Sequence, residues 1–162
     1  MMHKSIQQWL DAYSVSHRHP INKLIHWVAV PTIMWTVLAL LWEVAWPGLP
    51  LLNLAGVLII ISLAFYWHLS PRLAVGMIGI TALQVALLLW HQNASALPLW
   101  QTALILFVIA WVFQFLGHKI EGAKPSFFED VQFLLIGPVW LLSFLYQKLG
   151  IEYRRTSSSL AS

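Results

Sequence analysis

The sequence contains no cysteine and few charged side chains. Without cysteine the chain has no disulfide, no thiolate metal site, no iron–sulfur cluster and no cysteine nucleophile. Only 9% of its 162 residues are charged, whereas 59% are hydrophobic. Soluble domains usually carry about 25% charged residues, so this chain has too few to cover the surface of a soluble globule. The composition therefore predicts an integral membrane protein.

Common targeting and catalytic motifs are also missing. The first twenty residues are polar and contain no apolar core of a cleavable signal peptide, so we expect the first transmembrane segment to direct insertion. The chain has no Gly-x-Ser-x-Gly, no phosphate-binding glycine loop and no His-Glu-x-x-His. The net charge of +3 comes from basic residues scattered around apolar segments. We expect these residues to meet membrane lipid headgroups rather than nucleic acid.

Four apolar runs are long enough to cross a bilayer, which takes roughly 17–25 residues. They are Leu24–Trp42, Leu49–Trp67, Leu73–Trp90 and Leu97–Leu116. A fifth run, Phe133–Tyr146, is shorter and contains Gly137-Pro138, which favours a re-entrant or interfacial helix. We predict an all-α, integral membrane helical bundle with four transmembrane helices plus this fifth helix. Residues 1–150 would form one membrane-embedded domain, followed by a flexible polar tail at residues 151–162.

The basic residues predict the orientation of this bundle. With four spans, one side of the bilayer receives Lys4, Arg18, Lys23, Arg72, Lys119 and Lys124. The first and third connectors between spans contain no Lys or Arg. By the positive-inside rule the N-terminus is cytoplasmic, which in a bacterium means a protein of the inner membrane.

Five of the seven histidines fall at or near this cytoplasmic side, as a metal site would require. They are His17, His19, His26, His68 and His118. Imidazole nitrogen is a good ligand for iron, zinc, copper and nickel. Isolated interfacial histidines are the simpler interpretation, but polar residues inside membranes tend to be functional. A haem bound by His68 and His118 alone would leave the other histidines unexplained.

Local spacing connects two polar residues to these histidines. Pro20 is typical of a first helical position, so Asn22 and His26 would share a helix face, and Asn22 could orient the His26 ring. His118 and Glu121 share a face if their helix continues that far. Glu121 is then a metal ligand, an acceptor that orients a ligand, or an ordinary surface acid.

Two motifs resemble the fungal Mpo-type 2-hydroxy fatty-acid dioxygenases, a membrane family long described as of unknown function. The first is Tyr13-x-x-x-His17-x-x-Pro20-x-Asn22-x-x-x-His26-x-x-x-x-Pro31. The second is Trp111-Val112-Phe113-Gln114-Phe115-Leu116-Gly117-His118, followed by Glu121, Pro125 and Gly137-Pro138. The resemblance covers Tyr13 to Leu149. In the fungal pattern the acid lies one residue further from Gly-His, and other residues replace His19 and His68.

The resemblance implies an Fe(II)-dependent enzyme that takes a 2-hydroxy fatty acid and O₂ to the fatty acid one carbon shorter. It identifies three catalytic iron ligands, His17, His26 and His118. Weaker candidates for the metal are His68, His19 and Glu121. The substrate carboxylate would be attracted by Lys23, Lys119 or Arg18. No obligate protein partner is expected.

Two other functions remain open at this point. One is a different histidine-metal membrane enzyme that acts on lipids, such as a zinc hydrolase. The other is a non-catalytic membrane scaffold whose histidines lie at the interface. Bound metal distinguishes both enzymes from the scaffold, and oxygen consumption distinguishes the two enzymes.

Overall fold

The computed structural model describes residues 4–128 and 131–153, without the side chains of residues 49–52. Within these residues the chain is almost entirely helical, which confirms the predicted all-α class. The helices are α1 (Ile6–Ser14), α2 (Pro20–Trp42), α3 (Leu54–Leu69), α4 (Pro71–Ala94), α5 (Leu99–Glu121) and α6 (Phe133–Lys148). Two short antiparallel strands, β1 (Ala45–Trp46) and β2 (Leu49–Asn53), join α2 to α3.

Three helices are long and apolar enough to cross a membrane. They are α2, α4 and α5, with 23, 24 and 23 residues. Large apolar side chains on these helices are exposed, such as Leu24, Val75 and Ile105, as lipid contact requires. These helices indicate an integral membrane protein.

The second apolar run differs from its prediction. Its first residues form β2, and α3 begins only at Leu54, so the helix has 16 residues. Asn53 caps this helix, since its side chain accepts a hydrogen bond from the Gly56 N–H at 2.9 Å. Gly48, at φ +79°, makes the tight turn between the strands. Length and composition therefore support three spans and leave the fourth as a prediction.

The polar N-terminal segment contains a helix that composition alone did not predict. Ser5 and Gln8 form a reciprocal capping box at the start of α1. Its buried residues, Ile6, Trp9, Leu10 and Tyr13, recur at helical spacing and pack in the same core as α6. The Trp140 indole N–H of α6 donates a hydrogen bond to the Ser14 hydroxyl at 2.8 Å. This pairing fixes the segment that leads to His17.

Helix α6 is attached at both ends to the junction between α3 and α4. The Tyr66 hydroxyl donates to the Leu135 carbonyl at 2.8 Å, near the start of α6. The Tyr146 hydroxyl, near its end, donates to the Arg72 carbonyl at 2.9 Å. Only Ser70 separates α3 from α4. Both ends of α6 therefore lie near the same end of the bundle.

The first residues of the predicted tail contact the bundle. Tyr153 is buried, and its carbonyl accepts a hydrogen bond from the Ser70 hydroxyl at 2.9 Å. Residues 154–162 lie outside the described residues, as does His3. The boundary between domain and tail at residue 150 thus stays a prediction.

Candidate metal centre

Three histidines from separate parts of the sequence converge at one end of the bundle. His17 lies between α1 and α2, His26 in the second turn of α2, and His118 in the last turn of α5. Their exposed fractions are 1%, 1% and 5%. One ligand nitrogen from each lies within 4.8 Å of those of the other two. The three residues are the set that the two motifs singled out.

Backbone carbonyls orient two of these rings. The Nδ1 atom of His17 lies 2.6 Å from the Tyr13 carbonyl, and that of His26 lies 2.8 Å from the Asn22 carbonyl. A carbonyl only accepts hydrogen bonds, so each Nδ1 carries the hydrogen. In the neutral rings each Nε2 then presents a lone pair. The contact of Asn22 with the His26 ring is made by its backbone carbonyl, while its side chain bonds the Ser16 carbonyl and Glu121.

The Nε2 atoms of His17 and His26 face each other at 2.9 Å. Two lone pairs at this distance repel, and a cation between them turns the repulsion into attraction. Two nitrogen ligands at right angles on a metal with bonds of about 2.1 Å lie about 3.0 Å apart. The Nδ1 atom of His118 is buried and has no hydrogen-bond partner in the described part of the chain. The donor set therefore fits a metal ion held by three imidazoles.

The surroundings of His17 favour its ligand form. Burial, reinforced by the nearby His26, lowers the pKa of His17 to about 3. The ring is therefore neutral at physiological pH, as ligation requires. It stacks on the Tyr13 ring, with centroids 4.0 Å apart and planes at 9°. Burial also raises the pKa of the Tyr13 phenol, which stays protonated.

Glu121 binds the segment that carries two of the histidines. Its Oε1 accepts the Arg18 N–H at 2.8 Å, and its Oε2 accepts the His19 N–H at 2.8 Å and the Asn22 side-chain amide at 3.1 Å. These donors lie at the start of α2, where a negative charge is also favoured by the helix dipole. Of the three predicted roles of Glu121, these contacts favour that of an acceptor that orients the metal ligands.

A glycine allows α2 and α5 to approach each other beside the histidines. Gly117 is buried, and a Cβ added there would collide with Oδ1 of Asn22. Asn22 is itself fully buried and donates to the Ser16 carbonyl at 3.2 Å. Its amide also donates to Glu121 at 3.1 Å, so two hydrogen bonds hold the side chain in this position. This close approach brings His118 to the other two histidines.

The other predicted site residues lie outside this cluster. His19 is half-buried and caps α2, with its Nδ1 accepting the Ile21 N–H at 3.2 Å. His68 is exposed in the last turn of α3. The predicted carboxylate-binding residues are half-buried or exposed: Lys23, Lys119 and Arg18. In the described part of the chain, none of these five residues lines the cavity at the histidines.

An apolar cavity of about 510 Å³ begins at the three histidines. It extends between α2, α3, α5 and α6, and its walls include Val30, Met34, Leu58, Phe107 and Phe127. The sequence did not predict where this space lies or which residues form its walls, since most wall residues are ordinary apolar residues of membrane helices. The available signal was the pair of polar residues on α5, Trp111 and Gln114, which lie on the same helix face as His118.

Known proteins resemble the chain over nearly its whole length. The model of the family described as "2-hydroxy-palmitic acid dioxygenase Mpo1-like" matches residues 3–149. The "2-hydroxy-palmitic acid dioxygenase MPO1" of Saccharomyces cerevisiae is 30% identical over 153 residues, which cover 92% of this chain and 84% of the yeast protein. No solved structure matches the chain.

Proposed function

Because the chain belongs to the 2-hydroxy-palmitic acid dioxygenase Mpo1-like family, we propose that it is an Fe(II)-dependent dioxygenase of 2-hydroxy fatty acids. The reaction would convert R–CH(OH)–COOH and O₂ into R–COOH, CO₂ and H₂O. Atoms balance, and the substrate supplies all four electrons that reduce O₂. The reaction therefore needs neither a reductase nor a second organic substrate.

The observation that carries this proposal is the buried histidine cluster at the start of an apolar cavity. His17, His26 and His118 would hold the iron. Bound Fe(II) would supply the redox chemistry with O₂, and three protein ligands leave room on a six-coordinate ion for a hydroxy-carboxylate and O₂. Tyr13, Asn22 and Glu121 would keep the imidazoles oriented through the contacts described above.

The cavity suits the acyl chain of the substrate. Its apolar walls would exclude water and gain about 0.8 kcal/mol for each buried methylene group. The acid head group would then lie beside the histidines. Lys23, Lys119 and Arg18 lie outside the cavity, so their proposed part is to attract the carboxylate at the surface before it enters.

We extend this proposal to the arrangement in the membrane. Helices α2 to α5 would form four spans, of which α3 is the shortest. Helices α1 and α6 would lie at the cytoplasmic face above the histidines. The attachment of both ends of α6 to the α3–α4 junction supports this arrangement. Residues 1–150 would then act as a single unit.

Purification without oxygen tests the function directly. The protein should contain iron, consume O₂ with 2-hydroxypalmitate, and release one CO₂ and one pentadecanoic acid for each O₂. Zinc instead of iron, together with no oxygen uptake, would favour the lipid hydrolase. A well-folded protein that binds no metal would favour the scaffold.

A further inference from the structure

A polar strip on α5 continues from the histidine cluster into the apolar cavity. Gln114 and Trp111 precede His118 by about one and two helical turns, and all three side chains line the same cavity. Oε1 of Gln114 and Nε1 of Trp111 are both buried. Neither atom has a hydrogen-bond partner in the described part of the chain. Both side chains line the cavity, while these two polar atoms are covered by protein, so the strip has unused hydrogen-bonding capacity at the edge of the cavity.

Such atoms are costly inside a membrane protein. A buried polar group without a partner costs about 1–3 kcal/mol, and no described residue in the walls of this cavity bonds these two atoms. A ligand that enters the cavity can supply this partner. Gln114 is 8% exposed, so the bulk solvent does not readily solvate it. Its position one turn from His118 corresponds to about 6 Å along the helix axis, near the proposed head group.

We propose that Gln114 binds the 2-hydroxyl group of the substrate and selects 2-hydroxy fatty acids over unsubstituted ones. This inference rests on the proposed function. The Gln114 amide turns toward the cavity when the substrate binds, and the hydroxyl hydrogen then donates to Oε1, which gives that atom its missing partner. An unsubstituted fatty acid has no hydroxyl and leaves Oε1 unpaired, and a site built for a hydroxyl rejects the analogue that lacks it. Gln114 is a specificity residue rather than an iron ligand.

Another buried glutamine provides a matched control. Gln84 of α4 is 7% exposed, and its Oε1 also has no partner in the described part of the chain. Its amide donates to the Pro31 carbonyl at 3.3 Å. Gln84 lines a different cavity, beside His91 and Thr102. Replacing it therefore removes the same chemical group from a membrane helix without touching the proposed substrate site.

The experiment measures equilibrium binding of radiolabelled 2-hydroxypalmitate and palmitate to the iron-loaded protein without oxygen. Gln114→Leu and the closer isostere Gln114→Met should bind 2-hydroxypalmitate about tenfold more weakly, as expected for one lost hydrogen bond of about 1.4 kcal/mol. Palmitate affinity should stay within about twofold, because the variant changes only the partner of the hydroxyl. Gln84→Leu should change neither affinity. Iron content and monodisperse elution verify that each variant keeps its site.

Three results would overturn the inference. They are equal weakening for both acids, no weakening for either acid, and loss of iron from both Gln114 variants, which would make Gln114 a support of the metal site. If the wild-type protein turns over 2-hydroxypalmitate in any of these cases, the proposed function still stands. A wild-type protein that neither binds nor oxidises 2-hydroxypalmitate would overturn both.

Discussion

The Glu121 carboxylate of α5 accepts a hydrogen bond from the side-chain amide of Asn22 in α2, with Oε2 and Nδ2 3.1 Å apart. The same carboxylate accepts two backbone N–H groups from the segment between His17 and His26. One side chain thus connects the helix that carries the third histidine to the segment that carries the other two. The spacing of the proposed ligands depends on this contact.

Replacement of Glu121 should weaken the metal site without abolishing it. In Glu121→Gln one carboxylate oxygen becomes an NH₂ group, which cannot accept the hydrogen bonds that the surrounding N–H groups donate. We expect the iron affinity to fall about tenfold, which is at the lower end of the effects of residues that orient ligands. When iron is in excess, most of the protein should therefore still contain it. Metal titration measures this change. Glu43→Gln, at the exposed end of α2, is the control and should bind iron as the wild type does.

Each of His17, His26 and His118 should be indispensable. Replacing any one by Ala should abolish formation of the shortened acid and weaken iron binding well beyond the roughly 10–100-fold effect of residues that only orient ligands. Double replacements should be scarcely worse than single ones, because one missing ligand already disables the site. Iron content and product analysis measure both effects.

Two other histidines are the controls for this set. His68→Ala and His19→Asn should retain iron and turnover, since both residues lie outside the cluster. Retention of iron and activity by a well-folded His26→Ala protein would contradict the ligand assignment. A loss in His19→Asn equal to that in His118→Ala would mean that the ligand set is larger than three.

The close approach of α2 and α5 predicts a steric effect at Gly117. Gly117→Ala places a methyl group against Oδ1 of the buried Asn22. We expect a loss of about 1–3 kcal/mol in the free energy of unfolding, together with weaker iron binding as α5 moves away. Thermal unfolding and metal titration test this effect.

Gly79 of α4 offers a matched comparison, because a Cβ added there meets nothing within 4 Å. Gly79→Ala should unfold at the same temperature as the wild type or slightly higher. Equal unfolding temperatures for Gly117→Ala and the wild-type protein would mean that Asn22 can shift, and that its buried position is not rigid.

The absence of cysteine from the chain makes labelling a direct test of topology. Single cysteines at Gly48 and Ser95 should react with an impermeant reagent from the non-cytoplasmic side. Cysteines at Arg72, Lys124 and Lys148 should be protected from it in intact cells. All five positions are exposed. The same accessibility for Gly48 and Arg72 would rule out α3 as a span, and an accessible Lys148 would mean that α6 crosses the bilayer.

Much of the candidate site could be predicted because its residues lie within short motifs. The spacing of Asn22 and His26 on one helix face follows from the chain itself, and Pro20 does begin α2. The meeting of these residues with His118 depends on how α2 and α5 pack. Gly117 permits that packing and Glu121 secures it, and neither contact follows from local spacing. The resemblance, not periodicity, selected His118 over His68.

The parts that were missed have physical explanations. Composition described the first twenty residues as polar, but the spacing of Trp9, Leu10 and Tyr13 gives α1 a buried face. The apolar residues at 49–52 have the composition of a span, yet the turn at Gly48 directs them into a strand. A run of apolar residues alone does not distinguish a strand from part of a membrane-spanning helix. The cavity arises from the spacing between helices, which no single segment encodes.

The short α3 has a consequence for the surrounding lipid. Sixteen residues of helix span about 24 Å, whereas the hydrocarbon core of a typical bilayer is about 30 Å thick. In the proposed topology the bilayer must thin beside α3, at a cost of a fraction of a kcal/mol for each ångström of mismatch. The protein should therefore partition into thinner membranes, and acyl chains beside α3 should be shorter or more disordered than those beside α4.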